Sequence, residues 1–364
     1  MALWTPNNSE ATNSGSLVLW IDANNTNAYR LDGDSRTDAD IGAANTLDIV
    51  YNLGTSGSFF GPLNAANPAS LITGTLDPTL NLNGFRFGYK PEGSSFVATP
   101  FTSSIYPPLA DKDRFIISVT SRMMIDTYPA AAGFKAFYGY GSLGGNTGMS
   151  ILGDANTNNN SPFASFGFNN LFPSTTGLIT EQDVALIGFV HKDSDASNNL
   201  YLSGSRIAND TRELNTSNGA NDGFRLGSNY VNDNADVTIH ELLIYSTADV
   251  EADIDGYSAT FREITEGYLA HKWGIESQLP SDHPFKSAAP TIGSDGDARF
   301  PYGQSPPTGD RTSAKFVDNQ MTQLITQYDR GENQEGYVPF RLSVRGPSNL
   351  RLRPPGQVYK ITKE

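Results

Sequence analysis

Hard oxygen donors cluster twice in this chain. Asp193-Ser194-Asp195 is followed closely by Asn198 and Asn199, and Asn232-Asp233-Asn234 by Asp236. Carboxylate and amide oxygens at such density suit calcium, so Asp193, Asp195, Asn199, Asp233 and Asp236 are candidate ligands. Neither run is an EF-hand loop, because Asn198 and Gly204 stand at the sixth and twelfth positions after Asp193. Asn- and Asp-rich turns also arise for purely conformational reasons. The four histidines, His191, His240, His271 and His283, form no HExxH and no close pair, so no zinc site is expected. With no cysteine there is no thiolate ligand, no nucleophilic thiol and no disulfide. The Gly-rich GYGSLGGNTG (139–148) lacks the Gly-Lys-Ser/Thr ending of a phosphate loop and reads as a turn. No organic cofactor is expected. Aromatic residues near polar loops, Tyr138, Tyr140 and Tyr230, are candidates for stacking on sugar rings.

The elements that must position these residues are short strands. LVLWID (17–22), LDIVYNL (47–53), NGFRFGY (83–89), RFIISVTSRMMI (114–125), FKAFYGYG (134–141), MSILGD (149–154), VALIGFVHK (184–192), NLYLSGSRI (199–207), GFRLGSN (223–229) and VTIHELLIYS (237–246) are apolar or alternating runs closed by Gly or Asn. No helix separates successive strands, which predicts antiparallel sheets in a sandwich. Of 364 residues, 38% are hydrophobic and only 18% charged, enough apolar material for a core at this length. The net charge of −14 argues against nucleic-acid binding, which needs clustered cations. No apolar run reaches 18 residues, so no membrane insertion is expected. MALWTPNNSE lacks the basic and apolar regions of an export signal.

Near residue 250 the pattern changes. Phe261, Ile264, Tyr268 and Leu269 have helical spacing, and Gly274 stands where a glycine ends a helix. Residues 287–311 read as a Pro/Gly/Ser-rich linker. Val317, Met321, Leu324 and Tyr328 share one helical face, and strand-like YVPFRLSVRG and QVYKITK follow. Arg341, Arg345, Arg351, Arg353, Lys360 and Lys363 face only Glu364 in the last 25 residues, an asymmetry suited to an acidic partner.

EGYLAHKWGIESQLPSDHPFK (266–286) resembles the closing motif of laminin G-like, concanavalin A-like domains of the lectin–glucanase superfamily, as found in bacteriophage virion proteins. GSLVLWIDANN (15–25) is similar to the first strand of that family, and 186–207 and 223–246 to its later strands. The likeness covers 15–286 and departs from the pattern in a long loop at 23–46 and an extended stretch before the helix. It implies an all-β, concanavalin A-like jelly-roll sandwich with a short closing helix. It also implies that Tyr268 and Trp273 pack this helix onto the sheets. The division expected is an N-terminal extension (1–14), the sandwich (15–286), and a linker and C-terminal arm with one helix (287–364). Glycanases of this fold carry alternating carboxylates on a strand; EADID (251–255) comes nearest but lacks the last acid and falls in a loop or helix.

The resulting expectation is a virion structural protein without enzymatic activity, a bacteriophage capsid decoration, fibre or tail component, found in the virion or otherwise in the cytoplasm. A glycan-binding adhesion module is the alternative, and a divergent glycanase a weaker one. Partners are expected to be other subunits or a second copy, reached through Arg341, Arg345, Arg351, Arg353 and Lys360, and host-surface glycans. An arm this poor in apolar residues makes no core of its own. A chain truncated at Lys286 is therefore expected to melt like the full chain but to lose self-association, checked by thermal melting and size-exclusion chromatography; unchanged association would remove the arm from assembly.

Overall fold

The computed structural model describes residues 2–6, 17–38, 42–55, 59–62, 69–72, 82–88, 99–103, 112–121, 134–141, 148–154, 161–167, 169–179, 184–216, 223–229, 234–247, 259–292 and 298–299. Tyr230, Asp233, EADID and the basic residues of the arm lie outside them. The chain divides into two units. The smaller comprises Met1–Ser14, Asp253–Thr260 and Ser287–Glu364. In it β1 (Ala2–Leu3), β19 (Thr291–Ile292) and β20 (Ala298–Arg299) form an antiparallel sheet. The Trp4 N–H donates to the Pro290 carbonyl at 3.1 Å. Strands of two residues leave no periodicity to read, which is why 287–311 reads as plain linker.

The larger unit, Gly15–Ala252 with Phe261–Lys286, holds the remaining strands. They are β2 (Leu17–Asp22), β3 (Tyr29–Asp38), β4 (Gly42–Tyr51), β5 (Phe59–Pro62), β6 (Ser70–Ile72), β7 (Gly84–Phe87), β8 (Phe101–Ser103), β9 (Arg114–Ser121), β10 (Phe134–Gly141), β11 (Gly148–Asp154), β12 (Pro162–Phe166), β13 (Asn169–Leu171), β14 (Ala185–Lys192), β15 (Ser197–Leu202), β16 (Ser205–Thr211), β17 (Phe224–Leu226) and β18 (Val237–Tyr245). One sheet runs β16-β15-β14-β9-β18. Beyond β18 it continues through β2 and through β7, β6, β4 and β3. The other runs β13-β12-β11-β10-β17-β8. Strand β5 pairs with β4 of the first sheet and β8 of the second, joining them at one edge. Every pairing is antiparallel, and the fold is an all-β sandwich.

Alternation fills the space between the sheets. Leu19, Ile21, Ile116, Ile187, Phe189, Leu242 and Ile244 come from the first sheet, and Tyr138, Tyr140, Ile151, Phe166, Phe224 and Leu226 from the second. Each apolar side chain buried this way contributes about 1.5–3 kcal/mol.

The first sheet is also buried on its outer face. Helix α1 (Phe261–Lys272) lies there, and its Phe261 ring meets Tyr245 edge-on at 5.0 Å. The helix ends as a Schellman turn: Gly274 adopts φ +69° and the Ile275 N–H donates to the Ala270 carbonyl at 2.8 Å. On its far side Gly267 lets the closing segment approach, since a Cβ there would stand 2.5 Å from Phe285 Cβ.

Beneath the helix terminus lies a buried charge cluster. A bulge in β18 between Ile239 and Glu241 breaks the alternation, so His240 and Glu241 both face outward. Glu241 is fully buried. Its Oε1 accepts from Trp20 Nε1–H at 2.8 Å and Tyr268 O–H at 3.2 Å. Its Oε2 accepts from Trp273 Nε1–H at 2.8 Å and faces Lys272 Nζ at 2.6 Å. Lys272 also donates to Asp22 Oδ2 at 2.6 Å and Tyr268 Oη at 3.0 Å, so all three ammonium protons are used. Burial pushes the Glu241 carboxyl up from its usual range, while Lys272 draws it back. Removing the cation alone would leave two acids in low dielectric. Lys272→Met should cost about 3–5 kcal/mol in urea unfolding; a loss below about 1 kcal/mol, the scale of an exposed ion pair, would contradict this.

Candidate functional site

Two of the aromatics expected to stack on sugars are core residues. Tyr138 and Tyr140 are buried and lie against Phe224 with ring centroids 6.2 and 5.6 Å apart. Their hydroxyls bond Ser118 and Arg114, each at 3.0 Å. Burial pushes both phenols up. Neither presents a ring face to a ligand, which corrects that expectation.

The calcium expectation is corrected for Asp236. Asp236 is buried and clamped by Arg86, with Oδ1 accepting from Nε at 2.8 Å and Oδ2 from Nη2 at 2.6 Å. Asp193 and Asp195 form the exposed tip of the β14–β15 hairpin, where Ala196 takes φ +58°. The Asp193 N–H donates to Asp113 at 2.7 Å, and Asp195 accepts from the Ser197 N–H at 3.1 Å. Bonds from Ser197, hydroxyl and backbone, hold the Asp195 carboxyl below its usual range. Asn199 accepts from Arg206 at 3.1 Å. The Asp195 carboxylate shapes the turn, and among the described residues no three His, Asp or Glu side chains converge as metal ligands.

A polar row crosses the first sheet on its inner face. Arg114, His191, Asn198 and Asp210 stand directly opposite one another on β9, β14, β15 and β16. Arg114 Nη1 also donates to Thr216 at 3.1 Å. Asn198 Nδ2 donates to Asp210 Oδ1 at 2.8 Å and the Arg212 carbonyl at 2.7 Å. Its Oδ1 therefore accepts, at 2.9 Å, from His191 Nδ1, which fixes the proton on that nitrogen. Burial, and the nearby Arg114 cation, hold the His191 pKa below its ordinary value. The row meets solvent only at the Asp210–Arg212 ion pair, 2.9 Å long and partly exposed. His240 is likewise a structural residue: it is buried, with Nδ1–H donating to the Asn83 carbonyl at 2.5 Å and Nε2 on Ser121 at 2.7 Å.

The accessible candidate lies on the outer face of the second sheet. Register places Ala136, Leu152 and Phe163 side by side on β10, β11 and β12, where they form a small apolar cluster. The next row holds Gly139, Ser150, Ser165 and Asn170. Gly139 has no Cβ because one would stand 2.5 Å from Ser150 Oγ. Most of this face is buried, and it opens at β13. Asn169 and Asn170 are half-buried, and Phe172, just past the strand, is 42% exposed. Phe172 is stacked on buried Phe163 with centroids 4.6 Å apart and planes at 29°. Alternation sets Asn170 and Phe172 on the same face. Asn170 Oδ1 is turned away from solvent and has no protein donor. Beyond, Ser161 Oγ donates to the Thr175 carbonyl and accepts from the Leu178 N–H, both at 3.3 Å, tying the 174–178 loop to the start of β12. Sequence reasoning missed this patch because Phe163, Asn170 and Phe172 form no motif. The available signal was compositional, an amide-, hydroxyl- and Phe-rich stretch in a turn-rich region.

No known protein family matches the chain, and neither does any curated protein. Solved structures do. An arabinofuranosidase complexed with arabinofuranosyl-α-1,2-xylobiose is 13% identical, with 57% of this chain and 48% of that one covered and a TM-score of 0.40. Domain 4 of AbnA, a GH43 extracellular arabinanase from Geobacillus stearothermophilus, in complex with arabinotriose, is 15% identical over 64% of this chain and 93% of that one, with a TM-score of 0.34. A GH54 α-L-arabinofuranosidase mutant is 10% identical over 67% and 62%, with a TM-score of 0.45. The chain thus spans about half the length of the first arabinofuranosidase. At these identities the likeness concerns the β-sandwich fold. These three are carbohydrate-active enzymes or a domain of one, and none of them is a virion part. The expectations of a virion structural protein and of a chain without enzymatic activity are corrected on that finding.

The buried histidine gives a pH test of the polar row. Because its folded-state pKa lies below the unfolded value, unfolding takes up a proton below about pH 6.5, and stability falls as the pH drops through that window. His191→Gln keeps a donor for Asn198 and removes the proton uptake. Its stability should decline less than that of the parent between pH 7.5 and 5, by at most about 1.4 kcal/mol per pH unit. Parallel urea-unfolding profiles would refute the assignment.

Proposed function

We propose that the sandwich recognises carbohydrate at the open end of its second sheet, around Phe172. One observation carries this reading: an exposed Phe ring is held in place by stacking on a buried Phe, among half-buried Asn and exposed Ser and Thr residues. A sugar ring has an apolar C–H face and a rim of hydroxyls. The C–H face fits the electron-rich face of a phenyl ring, and rim hydroxyls can pair with the hydroxyls of exposed Ser174 and Thr175. An aromatic fixed by a second ring loses little entropy on binding, which favours affinity at a small interface. In the matching structures, arabinotriose and an arabinofuranosyl xylobiose are bound by other proteins of low identity, and arabino- and xylo-oligosaccharides are therefore the first ligands to try.

Calorimetric titration with these oligosaccharides, scored in parallel for released reducing sugar, asks both whether the chain binds them and whether it cleaves them. Phe172→Ala should weaken binding about tenfold, the equivalent of a stacking contact of about 1.4 kcal/mol, with the melting temperature kept within a few degrees. Unchanged affinity in a folded variant would move the site away from Phe172.

A further inference from the structure

The recognition patch is set in a stretch without ionisable side chains. From Ala155 to Thr180, 26 residues, there is no Asp, Glu, Lys, Arg or His. At the chain's average of 18% charged, such a stretch would carry about five. Asn, Ser, Thr and Phe replace them. In the described part, Phe172, Ser174, Thr175 and Thr176 are exposed and Asn169 and Asn170 half-buried. Among the described residues, Arg212 lies 5.8 Å from the ring of Phe166, whose side chain belongs to the core, and is paired with Asp210.

Resting on the carbohydrate reading, we infer that the patch selects uncharged glycans and rejects uronate, sialate and sulfated ones. Two physical arguments agree. The phenyl face carries negative quadrupole density, which attracts C–H groups and repels an anion lying on it. Finally, the net charge of −14 raises the cost of bringing a polyanion to any surface that offers it no cation. Selectivity here comes from leaving charge out: amides and hydroxyls satisfy neutral hydroxyls without the salt dependence of an ion pair.

The test uses the full chain. Affinity electrophoresis is run through gels containing a neutral arabinan, a neutral xylan, polygalacturonate or a sulfated glycan, each at 20 and 300 mM NaCl. The expected result is retardation by a neutral polysaccharide at both salt concentrations and none by either polyanion. Retardation by a polyanion that fades at high salt overturns the inference while leaving carbohydrate recognition standing. No retardation by any of the four overturns the carbohydrate reading itself. One variant sharpens the result. Thr175→Lys, which places one cation on the rim, should gain salt-sensitive retardation by polygalacturonate; no gain would show that charge at this rim does not set selectivity.

Discussion

Burying Glu241 in the middle of a sheet is the constraint from which much of the larger unit follows. An isolated carboxylate there would be prohibitively costly. It is tolerated because four donors from three segments close on its two oxygens: Trp20 from β2, Tyr268 and Lys272 from the helix, and Trp273 from the helix end. Lys272 carries the arrangement on to Asp22, so the first strand of the unit, its last strand and the closing helix are fixed by a single hydrogen-bonded cluster. Apolar contacts such as Phe261 on Tyr245 supply area but tolerate sliding. The charge cluster sets register, because each donor has one place to go. The Schellman turn at Gly274 contributes by ending the helix where Lys272 and Trp273 sit over Glu241.

This explains why both ends of the sandwich stood out in the sequence. Trp20 and Asp22 in LVLWID, and Tyr268, Lys272 and Trp273 in GYLAHKWG, are the parts of one cluster seen separately. Strand existence was legible from alternation, and the helix stop from Gly274. Glu241 was not legible. In VTIHELLIYS an acid two places from Ile239 reads as an inward position by strict alternation, and only the bulge sends it outward. A single inserted residue inverts every later assignment of face, and no local propensity announces it.

The candidate site was less legible for a related reason. Tyr138 and Tyr140 lie in a Gly-rich strand with polar flanks, the composition of a loop, yet the neighbouring sheet buries them completely. Asp195 and Asn199 have ligand chemistry, but one bonds within its own turn and the other to Arg206 on the next strand. Asp236 read as a candidate calcium ligand because its partner, Arg86, is 150 residues away. In each case the residue type was read correctly, but a partner that the local sequence does not announce decided its role.

Where recognition can occur is limited by how the two sheets are covered. The centre of the first sheet has spent both faces: the inner one on the core and the polar row, the outer one on helix α1 and the charge cluster. Its strands β9 and β18 are buried at every position, while its edge strand β16 is largely exposed. The second sheet donates its inner face to the same core. The end of its outer face at β13 stays open to a ligand, where burial gives way to Asn169, Asn170 and Phe172. An aromatic exposed there by accident would be expected to move freely. Phe172 is instead stacked on a ring that is itself locked into the sheet, so the exposed surface is held in one orientation before anything binds. Fixed shape and missing charge coincide at a part of the sandwich that its own packing leaves exposed.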